Sequence, residues 1–206
     1  NKVNYFENNI NKFNMIENKK NSKGKIEVIC GSMFSGKTEE LIKRIKKVEL
    51  DREKFIVFSP KTDSRNPKGK ITSHAKNVIS SCVVKKANDI FDYIKDCKVV
   101  AIDEGQFFDQ DLVSVCNNLA NNGCRVIVAG LDMDYKGIPF GPMPNLMACA
   151  EKVTKVHAVC VETGEEANYS YRKNINEDLV MVGEKKEYEP LSRSAFIKKM
   201  AERKTN

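Results

Sequence analysis

Lys25-Ile26-Glu27-Val28-Ile29-Cys30-Gly31-Ser32-Met33-Phe34-Ser35-Gly36-Lys37-Thr38 is the stretch on which the fold of this chain turns. Its first six residues read as a strand that runs straight into Gly31. Its last eight match G-x-x-x-x-G-K-[ST]. Residues 38–50 follow with Leu41, Ile42, Ile45 and Val48 at helical spacing. Strand, glycine loop and helix in that order are the context the motif requires. Gly31 and Gly36 let the backbone curl, so that N–H groups along Ser32, Met33, Phe34 and Ser35 converge on phosphate oxygens near a helix N-terminus. Lys37 then reaches the terminal phosphates, and Thr38 offers its hydroxyl to Mg²⁺.

Working outward, Phe55-Ile56-Val57-Phe58 reads as a buried strand stopped by Pro60, and residues 61–81 as a polar, mobile loop containing His74. Asn88 is placed to cap a helix bearing Ile90, Phe91 and Ile94. Val99–Ile102 is an apolar run ending at Asp103. Asp109 opens a helix with Leu112, Val115, Cys116 and Leu119 on one face, stopped by Gly123, and Arg125–Ala129 is a further buried strand. Unalternating apolar strands joined by amphipathic helices predict an α/β fold with a parallel sheet covered by helices on both sides, and with the glycine motif the fold class is that of a RecA-like P-loop domain. Asp103, at the end of a neighbouring strand, is placed to hold Mg²⁺ through water. The next residue, Glu104, diverges from it and can accept a proton from an attacking hydroxyl. Phe107 and Phe108 are expected to pack below the site, with Phe107 touching a base.

The chain has 206 residues and a formal charge of +7, which invites a nucleic-acid reading. Position argues otherwise. Residues 1–25 hold six Lys and two Glu, and 196–206 hold three Lys and one Arg against one Glu. The stretch 26–195 balances at 25 basic and 25 acidic. The domain reading is a flexible basic leader (1–23), a nucleotide-binding domain (24–152), a small lid lobe (153–196) and a basic tail (197–206). Phe196, Ile197 and Met200 read as a docking stripe on a final helix. No run approaches the roughly 18 apolar residues of a membrane span, and seven Cys without any Cys-x-x-Cys fit a reduced, cytoplasmic protein.

Asp103-Glu104-Gly105-Gln106-Phe107-Phe108, Leu131-Asp132-Met133-Asp134-Tyr135 and Pro139-Phe140-Gly141-Pro142, taken with Gly31–Thr38, resemble the type II thymidine kinases in order from about Lys25 to Phe196. The resemblance implies transfer of the ATP γ-phosphoryl group to the thymidine 5′-hydroxyl with Mg²⁺. It assigns Glu104 as general base and Asp103, Glu104, Gly105 and Gln106 as a segment flanking the nucleotide. Asp63, Ser64 and Arg65 match an Asp-x-Arg segment whose Arg meets the transferring phosphoryl. Met33, Leu131 and Tyr135 match residues around base and sugar, and Ser170 a small residue near the thymine methyl. Leu179, Val180, Met181, Val182 and Gly183, then Tyr188, match the lasso loop that closes over thymine. A homotetramer, dTTP as feedback inhibitor, and no nucleic-acid or membrane partner are further implications.

One element departs from that pattern. The family's small lobe is pinned by Zn²⁺ on two Cys-x-x-Cys pairs. Here Cys160 occupies the first position, while Thr163, Ser192 and Ala195 occupy the others. No structural zinc is therefore expected, and Leu191 and Phe196 or contacts between subunits are the candidates to order the lobe instead. His157 reads as a satisfied strand residue. Three rivals follow from the same residues. One is another phosphotransferase with a different small acceptor. A second is an ATP-driven nucleic-acid-binding protein on a RecA-like core, which would need a basic stripe that the balanced body lacks. The third is a kinase fold decayed into an inactive protein, against which Lys37, Thr38, Asp103, Glu104 and Arg65 all stand intact.

Overall fold

The strands are β1 (Lys25–Cys30), β2 (Phe55–Pro60), β3 (Lys70–Thr72), β4 (Val78–Ser80), β5 (Cys82–Val84), β6 (Val99–Ile102), β7 (Arg125–Gly130) and β8 (Lys152–Lys155), followed by the short β9 (Ala158–Val159), β10 (Glu166–Ala167), β11 (Tyr169–Arg172) and β12 (Tyr188–Leu191). The helices are α1 (Lys37–Leu50), α2 (Asp111–Asn121), α3 (Met143–Cys149) and α4 (Arg193–Thr205). They come from a computed structural model that describes residues 24–61, 69–72, 77–173 and 187–205. Six strands form one parallel sheet in the order β5-β2-β6-β7-β1-β8.

Strand alternation feeds two separate cores. Ile26, Val28 and Cys30 of β1, with Val126 and Val128 of β7, pack against Leu112, Val115, Cys116 and Leu119 of α2 and Met143 and Leu146 of α3. Ile29, Ile127 and Ala129 point the other way, against Leu41, Ile42, Ile45 and Val48 of α1. Successive side chains of a strand leave opposite faces, so strands apolar throughout need a cover on both. Each fully buried Leu or Ile contributes about 1.5–3 kcal/mol. A charged exception holds the α1 side in register. Glu27, 2% exposed, receives Lys25 at 2.9 Å, Arg44 at 2.9 Å and Arg125 at 2.8 Å. Burial pushes its carboxyl up, but hydrogen bonds from Arg125 and Lys25 outweigh that and hold it at about 2. Arg44 also donates to Thr154 of β8 at 2.9 Å, so one carboxylate ties α1, β7 and β8 to β1.

Several expectations change. The apolar residues Ile90 and Phe91 lie on a 3-10 turn, Ala87–Asp92, whose start is capped by Asp89, not Asn88. The Asp89 carboxylate accepts the N–H groups of Lys85 and Lys86, while Asn88 donates to Asp111 at 2.9 Å. Within 61–81, the described residues form the β3–β4 pair, because Ile71 is buried in the α1-side core with Ile79 against it. His74 lies outside the described residues, as does the leader 1–23. The parallel sheet runs past residue 152, since β8 pairs with β1 from Glu27↔Lys152 to Cys30↔Lys155. His157 falls in the link after β8 and meets Asn168 Oδ1 through Nδ1 at 2.8 Å. Residues 197–205 lie within α4, the final helix expected to carry Phe196, Ile197 and Met200.

The stripe on α4 is split. Phe196 docks in the small lobe, and Met200 packs beside it, while Ile197 is 58% exposed. Lys199 on the same helix pairs with Glu162 at 3.0 Å and Glu189 at 2.7 Å. Part of the C-terminal positive charge is thus answered within the chain. No helix among the described residues is long and apolar enough to cross a membrane.

Candidate active site

The glycine loop leaves β1 with Gly31 at φ 146°, where an added Cβ would lie 2.1 Å from the Val156 carbonyl oxygen. Only glycine allows β8 and its continuation to pass this close. At the other end Gly36, at φ 86°, precedes α1 with no side chain capping the helix. The first-turn N–H groups therefore face the loop rather than a cap, the arrangement that receives phosphate. Ser35 Oγ and Lys37 Nζ both donate to the Ser32 carbonyl at 2.7 Å, which holds the ammonium against the loop. Two further bonds reach across the chain: Ser32 Oγ donates to Ala167 O at 3.0 Å and Met33 N to Ser170 Oγ at 2.9 Å. The loop is thus clamped to β10 and β11.

β6 carries the acids to the same edge of the sheet. Asp103 is buried, and its carboxylate oxygens lie 3.4 and 3.5 Å from Thr38 Oγ1. A hydroxyl and a carboxylate brought together beside a phosphate loop form a hard, oxygen-only donor set that fits Mg²⁺. Glu104 sits in the left-handed region, φ 53° and ψ 42°, a conformation that costs a non-glycine residue on the order of 1–3 kcal/mol and persists where surrounding contacts over-determine it. Those contacts include Gln106, whose Nε2 donates to Glu104 Oε2 at 2.5 Å and whose Oε1 accepts the Leu131 N–H at 2.9 Å. Phe108 belongs to the core, while Phe107 meets Phe140 edge-on at 5.8 Å.

Beyond the loop a wall forms from β11, β12 and the Asp132–Phe140 turn. Arg172, 1% exposed, lies 3.8 Å over the Tyr135 ring and donates from Nε to the Tyr188 hydroxyl at 3.0 Å. Two tyrosines expected at the substrate are therefore fixed by one guanidinium, through a cation–π contact and a hydrogen bond. The sequence reading missed Arg172. The alternation of Tyr169-Ser170-Tyr171-Arg172, which puts Ser170 and Arg172 on one face of a strand, was the available signal. Ser170 is buried, and its hydroxyl accepts the Met33 N–H. Asp132, also missed, pairs through Oδ2 with Lys155 at 2.8 Å, and its buried Oδ1 has no hydrogen-bond partner among the described residues. Together the described residues bring Gly31–Thr38, Asp103–Phe107, Leu131, Tyr135, Ser170 and Tyr188 to one side of the sheet. Asp63, Ser64, Arg65 and Leu179–Gly183 lie outside the described residues.

The family model described as thymidine kinase matches residues 24–196. The chain belongs to the thymidine kinase family. It is similar to the thymidine kinase of Bacteroides fragilis, with 52% identity over 180 residues covering 87% of this chain and 90% of that one. It is similar also to those of Porphyromonas gingivalis (50% identity, 85% and 86% covered) and Rhodothermus sp. (50%, 85% and 82%).

The positions that the sequence resemblance matches to zinc ligands carry Cys160, Thr163, Ser192 and Ala195. Cys160 is buried, and Thr163 Oγ1 donates to Ser192 Oγ at 3.4 Å, which meets Ser194 Oγ at 3.2 Å. Burial works against the Cys160 thiolate. The Thr163 hydroxyl and the backbone N–H groups of Ser192, Thr163 and Glu162 outweigh it and bring the thiol down to about 6. One thiol and two neutral hydroxyls, with only the methyl of Ala195 at the fourth position, do not fit tetrahedral Zn²⁺. Among the described residues no three His, Cys, Asp or Glu side chains gather as a metal site. Apolar contact packs the lobe: Tyr169 stacks on Phe196 at 4.5 Å and 19°, with Ala158, Cys160, Ala167, Leu191 and Ala195 around them.

Proposed function

We propose that this site transfers the terminal phosphoryl group of ATP to the 5′-hydroxyl of thymidine. The observation that carries the reading is the juxtaposition of two elements on one sheet edge: a glycine loop opening an uncapped helix, and an Asp103-Glu104 pair on the neighbouring strand end. Lys37 swings from the Ser32 carbonyl to the phosphates, and the loop N–H groups hold their oxygens. Thr38 and Asp103 would hold Mg²⁺, which when bound would neutralise charge on the phosphate oxygens. Glu104 takes the proton of the 5′-hydroxyl. Arg65 stabilises the transferring group, with Asp63 and Ser64 beside it.

Met33, Phe107, Leu131, Tyr135, Ser170 and Tyr188 enclose base and sugar, and Leu179–Gly183 are assigned to the base by the sequence resemblance. dTTP as an inhibitor, a homotetrameric assembly and a cytoplasmic location belong to the same reading. ATP-dependent conversion of labelled thymidine to its 5′-phosphate tests the reading, and a purified, folded chain without that activity would sink it. An apolar niche senses one methyl group by about 1–3 kcal/mol. Deoxyuridine is therefore expected to remain a substrate, with kcat/KM lower by roughly 10- to 200-fold. Competition kinetics with both nucleosides measure the ratio.

We propose also that the small lobe is ordered without zinc, on the evidence of its single thiol and its Tyr169–Phe196 stack. Dialysis against EDTA is expected to leave Tm and thymidine kinase activity (assayed with Mg²⁺ restored) unchanged. Metal analysis of protein purified without added zinc is expected to find less than one equivalent per chain. A fall in Tm with loss of one zinc per chain would overturn this.

A further inference from the structure

Gln106 is 2% exposed on the 3-10 turn Gly105–Phe107, and the surrounding backbone is shaped to admit it. An added Cβ at Gly130 would lie 2.8 Å from Gln106 Oε1, and one at Gly141, where φ is 55°, would lie 2.4 Å from the Gln106 carbonyl oxygen. Neither backbone could approach so closely with a side chain present. The orientation of the amide is also determined. A backbone N–H can only donate, so the atom 2.9 Å from Leu131 N is the amide oxygen. The NH₂ end therefore faces Glu104, at 2.5 Å from Oε2. One buried amide spans the carboxylate at the end of β6 and the main chain at the end of β7.

We infer that Gln106 is a positioning residue, which sets the direction of the Glu104 carboxylate and its distance from the Leu131 main chain. The inference rests on the reading of Glu104 as general base and of Leu131 as part of the nucleoside enclosure. Glu104 follows a strand end in a strained conformation, and its side chain has rotatable bonds that could turn the carboxylate away from an acceptor hydroxyl. The Gln106 NH₂ removes that freedom. Because the same amide also holds Leu131 N–H, the carboxylate and that main chain are kept in one register. Misplacement of a reacting group by about 1 Å can cost about 100-fold in rate.

The test is a double-mutant cycle on the full chain with ATP, Mg²⁺ and thymidine. Gln106→Glu keeps an acceptor for Leu131 N–H but sets a carboxylate against Glu104. Gln106→Met is uncharged, lacks both bonds, and serves if the first variant does not fold. Each is expected to lower kcat by about 10- to 100-fold, with KM for ATP within about twofold of wild type. In a Glu104→Ala background the same substitution is expected to add less than about a twofold further loss, since a residue that acts through Glu104 has nothing left to position. A residue that merely supports the fold would lower activity by a similar factor in both backgrounds and would lower Tm in parallel. Unchanged kcat in the Gln106 variants, or losses that multiply in the cycle, would overturn the inference while leaving the general-base reading intact. Wild-type turnover by Glu104→Ala would remove the general-base reading itself and this inference with it.

Discussion

Glu104→Gln is expected to lower kcat for thymidine phosphorylation by about 10²- to 10⁴-fold, the range that general-base catalysis contributes. The replacement is close to isosteric, so the loss would be chemical. An amide oxygen at position 104 can still accept from Gln106 Nε2, now at 2.5 Å from a carboxylate oxygen, and the local left-handed backbone is unchanged. What disappears is a basic oxygen able to take the 5′-hydroxyl proton as the new P–O bond forms. KM for ATP is expected to stay near wild type, because the phosphate loop and Thr38–Asp103 are untouched. A fall in kcat at constant KM marks an interaction made in the transition state alone. Steady-state kinetics on wild type and Glu104→Gln, with single-turnover measurement to separate chemistry from release, decide the matter. Equal kcat in wild type and Glu104→Gln would refute the assignment.

The second large effect is structural. Gly31→Ala is expected to destabilise the fold by about 3 kcal/mol or more, combining a strained conformation with a backbone clash. For a chain of this size that corresponds to a fall in Tm of about 6–12 °C. The added Cβ would sit 2.1 Å from the Val156 carbonyl oxygen, and neither side can retreat. Cys30 is paired to Gly130 on one side and Lys155 on the other, and Val156 N donates back to Cys30 O at 2.8 Å. Gly36→Ala is the matched control. Its φ of 86° is also unfavourable, but nothing lies within 4 Å of the new Cβ, so the cost is about 1–2 kcal/mol of conformational strain. Thermal unfolding of the pair separates the two contributions. Equal Tm values would show that the close approach at Gly31 is not what requires glycine.

The sheet and its principal helices were legible because their signals are local. Leu41, Ile42, Ile45 and Val48 recur at helical spacing and are all buried on α1, and Val99–Ile102 is buried on both faces. The glycine loop and Asp103-Glu104 were legible because a motif fixes backbone shape over a few residues. Other features depend on partners distant in sequence. Nothing near Ser170 indicates that its hydroxyl will face Met33, 137 positions away. Nothing near Arg172 announces the rings of Tyr135 and Tyr188. The β3–β4 pair was obscured by polar neighbours around Ile71, whose burial is supplied by the far side of the sheet. Asn88 misled because any Asn before an apolar run resembles a cap, and only the position of Asp89 decides between them.

The clamps from Ser32 to Ala167 and from Met33 to Ser170 set an order of events during synthesis. A ribosome at about 5–20 residues per second needs roughly 7–27 s to pass from Met33 to Ser170, given the 137 positions between them. During that interval the loop can have its glycines and its helix, but not its last two hydrogen bonds. Competence to hold phosphate in the final geometry is therefore acquired late, after most of the parallel sheet has been made. A nascent chain halted before Ala167 would carry the whole glycine motif with neither clamp to hold it.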